Sequence, residues 1–332
     1  MTMYRRAALK VLSCLTLLGS MGTALNLATI SPAAAAQWPE RPVRLVVPFA
    51  PGGSNDVIAR KLADSISKST GQTFIIENRA GAGGVVGAGY VASAAPDGYT
   101  FLFISGSLAT SAAVQKTPYD AKTAFDAVSL VASAPFVVLT RKDFPAKNMQ
   151  ELLQYAKDNP GAINFGSAGL GDSSQMATEL LANKAGVKMQ TVGYKGISPA
   201  QMDLVAGRLD MIITTMASIA GTPTDQLPKL AFTSAQRNPD FPNVPTVKEA
   251  TGLDYDVNVW WGVFGPKGVD QTARNRLNEE IKKAVSTPEF AQFLKSMGAN
   301  PTTSTPEELQ KLLVSDVDQW TETAKAAGIR VE

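Results

Sequence analysis

Histidine is absent from the 332-residue sequence, and this absence excludes several kinds of site. Ser-His-Asp and Cys-His catalysis both need an imidazole, and most zinc, copper and non-haem iron sites use one as a ligand. Carboxylate-based catalysis, Ser-Lys dyads and calcium sites remain compatible with this composition. We expect a protein that holds no metal and no cofactor and is not an enzyme.

Cysteine occurs once, as Cys14, within an N-terminal segment that has the pattern of a signal peptide. Three basic residues precede a mostly apolar run over 11–30, which leads into the A-x-A cleavage pattern at 34–36. We expect export to the periplasm with cleavage after Ala36. A retained membrane anchor is the alternative, and the pattern does not distinguish Sec from twin-arginine export.

The chain that follows residue 36 carries no cysteine, and its 28 basic and 29 acidic residues give a formal charge of −1. Because no disulfide is available, its stability has to come from core burial, and roughly 300 residues are enough for two lobes or domains. A near-neutral chain without basic clusters is not expected to bind nucleic acid or an anionic membrane surface. No later segment is long and apolar enough to span a bilayer.

Short buried-type strands alternate with helices along the chain, and this alternation occurs twice. In the first part we predict strands at 43–49, 74–76 and 99–104, and in the second part at 136–140, 163–165, 209–214 and 230–233. Such alternation predicts an α/β fold with parallel sheets that are covered by helices.

No low-complexity linker separates the two parts, and the apolar stretch 257–264 is followed by three predicted helices. We therefore expect two α/β lobes joined by crossing strands, with the ligand cleft between them. The predicted division is a signal peptide at 1–36, a first lobe from 37–138 plus 250–332, and a second lobe from 139–249.

Two glycine-rich loops each connect a predicted strand to a predicted helix. They are Gly52-Gly53-Ser54-Asn55 and the loop from Gly166 to Gly171. Ligands of α/β sheets sit at the carboxyl ends of strands, where helix N-termini offer unpaired N–H groups and a partial positive charge. Glycine lets the backbone approach a ligand closely. The loops are therefore candidates for holding an anion with neutral donors, and ordinary turns are the alternative.

Five other polar residues near these loops are candidate ligand contacts. Asp56 and Asp172 are each suited to cap a helix. In direct contact with a ligand, either side chain would repel a carboxylate but could bind an amine. Lys195 could pair with an anion, whereas a lone surface lysine is usually solvated. Ser105 and Ser107 follow the third strand and are candidate hydroxyl donors.

Two further features are interpreted as structural. The loop from Gly81 to Gly87 resembles a dinucleotide-binding loop, but Val86 stands where the last glycine of that motif belongs. Trp260 and Trp261 are expected in the core rather than stacked on a ligand.

Five motifs spread over the chain resemble those of the tripartite tricarboxylate transporter solute-receptor family, also called Bug proteins. The first is VPFAPGGSNDVIAR at 47–60, and the second and third are ENRAGAGG at 77–84 and APDGYT at 95–100. The fourth begins at Tyr194-Lys195-Gly196 and extends to Asp210, and the fifth is PNVPT at 242–246. The resemblance covers essentially the whole chain after the signal peptide.

The resemblance implies a type II periplasmic-binding-protein fold and a function in transport. Such a receptor captures a small carboxylate between two lobes and delivers it to the membrane subunits of a tripartite transporter. The family grips the carboxylate mainly with backbone amides, hydroxyls and water. Carried over by position, the ligand-binding residues are Phe49, Gly52, Gly53, Ser54, Asn55, Asp56, Ser167, Ala168, Gly169 and Ser173, with Ser105 or Ser107 after the third strand.

Two departures from the family pattern fall in the expected site, so the ligand cannot be copied from a relative. Asp172 and Gln175 replace the serine and histidine of the G-S-x-x-H-L motif, and Thr215 follows a strand after which many members carry an acidic residue or asparagine. Known family ligands include dicarboxylates, tricarboxylates, amino acids and aromatic acids. The alternatives to a transport receptor are a ligand sensor for a two-component system and a secreted carboxylate-dependent hydrolase, which would need two acids converging on one cleft.

Overall fold

A computed structural model describes residues 38–329 of the protein. The predicted signal peptide and its cleavage site after Ala36 lie outside the described residues. Among the helices of the described part, none combines the length and the apolar character that crossing a membrane requires.

The strands of the described chain form two sheets. The first sheet has the spatial order β11-β4-β10-β3-β1-β2. Its strands are β1 (Val43–Val47), β2 (Phe74–Asn78), β3 (Thr100–Ser105), β4 (Phe125–Pro135), β10 (Asn258–Pro266) and β11 (Asn300–Pro301). The second sheet has the order β7-β6-β8-β5-β9. Its strands are β5 (Val137–Thr140), β6 (Asn164–Ser167), β7 (Gln190–Gly193), β8 (Met211–Thr214) and β9 (Lys229–Phe232). Each sheet with the helices that cover it is one lobe, as predicted.

Helices follow most of the strands and cover both sheets. They are α1 (Ser54–Thr70), α2 (Val85–Ala92), α3 (Ser107–Val114), α4 (Met149–Asp158), α5 (Ser173–Ala185), α6 (Ile197–Val205), α7 (Met216–Ile219), α8 (Val247–Thr251), α9 (Gln271–Ser286), α10 (Pro288–Ser296) and α11 (Pro306–Ala327). The C-terminal helices α9 and α11 both pack on β4, so the chain returns to the first sheet after the second is complete.

Both sheets are mixed, and the prediction of parallel sheets is correct only for part of each. Strand β1 pairs in parallel with β2 and β3, and β6 pairs in parallel with β7 and β8. Strand β10 is antiparallel to β3 and β4, and β5 is antiparallel to β8 and β9. The antiparallel pairs arise where the chain passes between the lobes, because a strand that enters from the other lobe runs against its neighbours.

The two crossing segments are joined by Thr233. Strand β4 continues into β5 with only Phe136 between them, and Val257 precedes β10 on the return path. The N–H of Phe136 donates to the Thr233 hydroxyl (2.8 Å), which donates to the carbonyl of Val257 (2.6 Å). Thr233 is fully buried, so this hydroxyl satisfies two backbone groups that water cannot reach.

Strand β4 and helix α3 were not predicted from the sequence. Strand β4 carries Ser129 and Ser133, which do not fit an apolar strand pattern. In the structure the buried Ser129 hydroxyl donates to the backbone carbonyl of Leu130, and the Ser133 hydroxyl bonds Thr302. Helix α3 is built from small residues and lacks a side-chain cap at its start, so no start signal marks it.

Candidate functional site

A small cavity lies between the two sheets. Its walls come from the loops after β1, β3, β6 and β8 and from both crossing segments. The lining residues are Phe49, Gly53, Ser54, Asn55, Ser105, Ser107, Phe136, Ala168, Asp172, Ser173, Ser174, Ile197, Thr214, Thr215 and Val259.

One wall is the N-terminus of α1, which no side chain caps. Gly53 is the N-cap residue, and it offers no side chain to the first turn. The first backbone N–H of this helix that donates to a backbone carbonyl within residues 38–329 is that of Val57, and its acceptor is the carbonyl of Gly53. The amides of Ser54 and Asn55 are therefore orphan donors at the positive end of a 17-residue helix.

Asp56 braces this loop from behind and does not line the cavity. Its carboxylate accepts hydrogen bonds from the N–H of Gly52 (3.0 Å), from the Arg60 guanidinium (2.8 and 2.9 Å) and from the Asn78 amide (2.9 Å). Burial alone would raise the pKa of Asp56, but the bonds from Arg60 and Asn78 hold that pKa below its ordinary value. The ionised carboxylate thus fixes the path of the backbone that carries Gly53.

The opposite wall is the N-terminus of α5, and Asp172 caps it. One carboxylate oxygen, Oδ1, accepts the N–H groups of Ala168 (3.1 Å) and Gln175 (3.2 Å) and the Ser174 hydroxyl (3.0 Å). The other, Oδ2, accepts the N–H of Ser174 (2.9 Å). Burial raises the pKa of Asp172 to about 6, against the opposing effect of these bonds.

Gln175, which stands at the histidine position of the family motif, braces the same loop. Its side-chain oxygen accepts the N–H of Gly171 at 2.8 Å. A neutral acceptor can therefore hold this turn without an imidazole.

A row of serine hydroxyls connects the two walls. Ser105 donates to Ser107 (3.0 Å), and the hydroxyls of Ser107 and Ser173 lie 3.1 Å apart. The N–H of Ser173 also donates to the Ser107 hydroxyl (3.2 Å). Since Ser107 belongs to the first lobe and Ser173 begins α5 in the second, these bonds bring the lobes together around the cavity.

Glycine loops of the two lobes approach each other closely. A Cβ built on Gly83 would lie 2.1 Å from the Leu170 carbonyl oxygen, and one on Gly169 would lie 2.7 Å from the Gly83 nitrogen. Both glycines have positive φ angles, of 61° and 132°. The N–H of Ala50 donates to the Lys195 carbonyl (2.9 Å) at the same edge. Only glycine allows the backbones of the two lobes to approach this closely.

Three buried side-chain oxygens at the cavity find no hydrogen-bond partner among residues 38–329. They are Asn55 Oδ1, Ser167 Oγ and Thr215 Oγ1. Thr215 is only 2% exposed and lines the cavity directly, while Ser167 is fully buried just before the lining residue Ala168. Buried polar atoms are normally paired, so the two unpaired atoms whose residues line the cavity, Asn55 Oδ1 and Thr215 Oγ1, are candidates for pairing with a ligand.

The structure brings together most of the residues predicted as ligand contacts. The predicted residues that line the cavity are Phe49, Gly53, Ser54, Asn55, Ser105, Ser107, Ala168, Asp172, Ser173 and Thr215. Gly52, Asp56, Ser167 and Gly169 do not line it. The Lys195 side chain is exposed and does not line the cavity.

Five lining residues were not predicted, namely Phe136, Ser174, Ile197, Thr214 and Val259. Phe136 and Val259 belong to the crossing segments, whose position depends on the arrangement of the lobes rather than on a local motif. Ser174 and Thr214 are direct neighbours of predicted residues, and the strand-end rule that selected those residues could have included them.

Trp260, which is interpreted from the sequence as a core residue, is buried in the fold. Its indole N–H donates to the Asp316 carboxylate at 2.6 Å.

No group of three or more Cys, Asp or Glu side chains in the described part of the chain is arranged to hold a metal ion.

Comparisons with known proteins find similar sequences and similar structures over most of the chain. Residues 58–329 match the family described as "Tripartite tricarboxylate transporter family receptor". A curated relative from Pseudomonas sp. strain P51, "UPF0065 protein in tcbD-tcbE intergenic region", is 41% identical over 286 residues, which are 85% of each chain.

Two solved structures are similar over most of the chain. The structure of the periplasmic binding protein BugD is 35% identical, has a TM-score of 0.85, and matches 89% of this chain and 100% of its own. The structure of R. palustris Rpa4515 with adipate is 33% identical, has a TM-score of 0.85, and matches 88% of this chain and 99% of its own.

Proposed function

The chain belongs to the tripartite tricarboxylate transporter receptor family, and on that premise we propose that it captures a small carboxylate in the cavity between its lobes. It delivers this ligand to the membrane subunits of a tripartite transporter and does not transform it. Its similarity to a binding protein solved with adipate supports a carboxylate as the ligand class.

The observation that carries this proposal is the set of unpaired polar groups on the cavity wall. The α1 N-terminus presents the amides of Ser54 and Asn55, and the buried Thr215 hydroxyl has no partner among residues 38–329. A ligand carboxylate at the N-terminus of α1 accepts hydrogen bonds from those amides and lies at the positive end of the helix dipole. Leaving buried polar groups unmatched costs about 1–3 kcal/mol each, so a ligand that pairs them is strongly favoured.

The carboxylate is held by neutral donors. No lysine or arginine lines the cavity within the described residues, and Asp172 is the one acidic side chain on its wall. Helix ends, amides and hydroxyls are already oriented by the fold, and a low-dielectric cavity strengthens their interaction with a negative charge. A single acid on the wall also supports binding without turnover, since carboxylate-based hydrolysis uses two.

The proposal includes the division of the chain and its location. The first lobe comprises residues near 37–138 and 250–332, and the second comprises residues near 139–249, with β5 and α8 spanning the two boundaries. The crossing segments beside Thr233 act as the hinge. Ligand binding shifts the protein toward the closed arrangement, in which the loops around Gly83 and Gly169 touch. Signal-peptide cleavage after Ala36 releases the receptor into the periplasm.

A thermal-shift screen tests the proposal, because a ligand that binds the native state raises the melting temperature. Mono- and dicarboxylates of increasing length are compared with their fully amidated, uncharged analogues. The expected result is a concentration-dependent rise with at least one carboxylate and none with its neutral analogue. The Gly53→Val variant, whose side chain enters the cavity, should lose the response. Equal shifts with charged and neutral analogues, or no shift with any carboxylate, would overturn the proposal.

A further inference from the structure

The two helix N-termini that face the cavity differ in a way that bears on ligand choice. The N-cap residue of α1 is Gly53, which offers no side chain, whereas the N-cap residue of α5 is Asp172, whose carboxylate accepts hydrogen bonds from the N–H groups of Ser174 and Gln175. Residues from both helix starts line the same cavity. One positive helix end is therefore open to a ligand anion, and the other is already neutralised by the chain's own carboxylate.

We propose that the ionised carboxylate of Asp172 fills the second anion position of the cleft, so that this receptor selects a monocarboxylate whose other end carries an N–H or O–H donor. Dicarboxylates are disfavoured while Asp172 is ionised. The inference rests on the proposed function, because it names the ligand class of the same site.

The acceptor capacity of Asp172 supports this assignment. A carboxylate has about two acceptor positions on each oxygen. Oδ1 is used by Ala168, Gln175 and the Ser174 hydroxyl, while Oδ2 accepts only the N–H of Ser174. One acceptor position thus remains on Oδ2, and Asp172 lines the cavity. An amine, amide or hydroxyl on the ligand can donate to that position.

Electrostatics excludes a second carboxylate at that wall. An ionised group beside Asp172 would have a like charge as its neighbour, and no lysine or arginine lines the cavity in the described part of the chain to offset it. Like charges placed together in a buried site are strongly unfavourable. Uncharged polar groups carry no such penalty.

The buried Thr215 hydroxyl is an independent sign that a polar ligand group reaches into this cavity. It is 2% exposed, lines the cavity and has no partner among residues 38–329. Because a hydroxyl both donates and accepts, it can pair with an amide, an amine or an alcohol.

Calorimetry on matched ligand pairs tests the inference. Each pair is a dicarboxylate and its monoamide, which have the same shape and differ by one charge; succinate with succinamate, glutarate with glutaramate and adipate with adipamate are suitable. At pH 8 the wild-type protein should bind the monoamide of the best-fitting pair at least tenfold more tightly than its dicarboxylate. In Asp172→Asn this preference should fall to about twofold or reverse.

Two further variants keep the result interpretable. Asp172→Ser removes the charge with a different capping side chain, and it should lose the preference even if the asparagine variant does not fold. Asp270→Asn is the matched control, because Asp270 caps α9 through the N–H of Ala273 and lies outside the cavity. This control should retain the wild-type preference.

The outcomes separate this inference from the proposed function. If wild-type protein binds both members of a pair equally, or prefers the dicarboxylate, the role of Asp172 is wrong while carboxylate binding stands. A monoamide preference that persists in a folded Asp172 variant contradicts the inference in the same way. If no pair member binds and no other carboxylate does, both proposals fail.

Discussion

Replacing Thr215 by valine is expected to stabilise the ligand-free protein and weaken ligand binding at the same time. The Thr215 hydroxyl is buried and has no partner among residues 38–329, and it does not cap α7 although Thr215 is the N-cap residue. Valine has nearly the same shape but carries a methyl group in place of the hydroxyl. The substitution therefore removes an unpaired polar atom without leaving a cavity.

The size of both effects follows from the cost of an unpaired buried group. Relief of that cost should raise the free energy of unfolding by about 1–2 kcal/mol. For a chain of this length the melting temperature should rise by about 2–3 °C. In the complex the ligand group that met the hydroxyl is left unpaired instead, and affinity should fall roughly tenfold to a hundredfold.

The neighbouring Thr214 provides a matched control. Its hydroxyl also lies at the cavity but bonds Ser218 Oγ at 2.6 Å, so Thr214→Val should destabilise the ligand-free protein by about 0.5–1.5 kcal/mol. Urea unfolding of both variants, with calorimetry for the ligand found in the screen, measures the two effects. If Thr215→Val destabilised the protein as much as Thr214→Val and left affinity unchanged, the assignment of its hydroxyl to the ligand would be refuted.

Four other expected outcomes concern the helix end, the hinge, the pH dependence and export. Gly53→Val should abolish binding with the circular dichroism spectrum unchanged, because a Cβ there meets Ile197 Cγ2 at 3.2 Å and fills the α1 end of the cavity; near-normal affinity would remove this loop from the site. Thr233→Val should lower the free energy of unfolding, measured by urea titration, by about 2–5 kcal/mol, because two buried backbone groups lose their hydrogen-bond partner. Thr233→Ser keeps a hydroxyl, and its free energy of unfolding should fall by less than about half that amount in the same titration. Because burial raises the pKa of Asp172 to about 6, protonation as the pH falls from 8 to 6.5 should strengthen dicarboxylate binding several-fold in calorimetry and leave monoamide binding nearly flat; a flat dicarboxylate profile would contradict this. Intact mass of protein from the cell envelope should correspond to a chain beginning at Gln37, and retention of residues 1–36 would contradict export.

Much of the site could be predicted because its chemistry is local in sequence. The strand–glycine–helix pattern at Gly53 and the capping pattern at Asp172 each depend on a few consecutive residues, and the structure places both on the cavity wall. The exposed position of the Lys195 side chain agrees with the expectation that a lone surface lysine is solvated.

Crossing strands between the lobes were expected, but their pairing and the mixed character of the sheets could not be predicted from local patterns. Phe136 and Val259 reach the cavity only because β4 and β10 pass between the lobes, and their direction is set by partners more than 100 residues away, such as Ser133 opposite Trp260. Strand β4 also contains serines whose hydroxyls are satisfied by distant or backbone groups. Local hydrophobic patterning carries no signal for such tertiary pairing.

A crystal structure with a bound monocarboxylate tests the central claim most directly. We predict that the ligand carboxylate accepts the backbone amides of the α1 N-terminus at about 2.9 Å, with its other polar end directed to Asp172 and Thr215. A carboxylate paired with Lys195 or another cation, or a ligand bound outside the cavity between the sheets, would contradict the account.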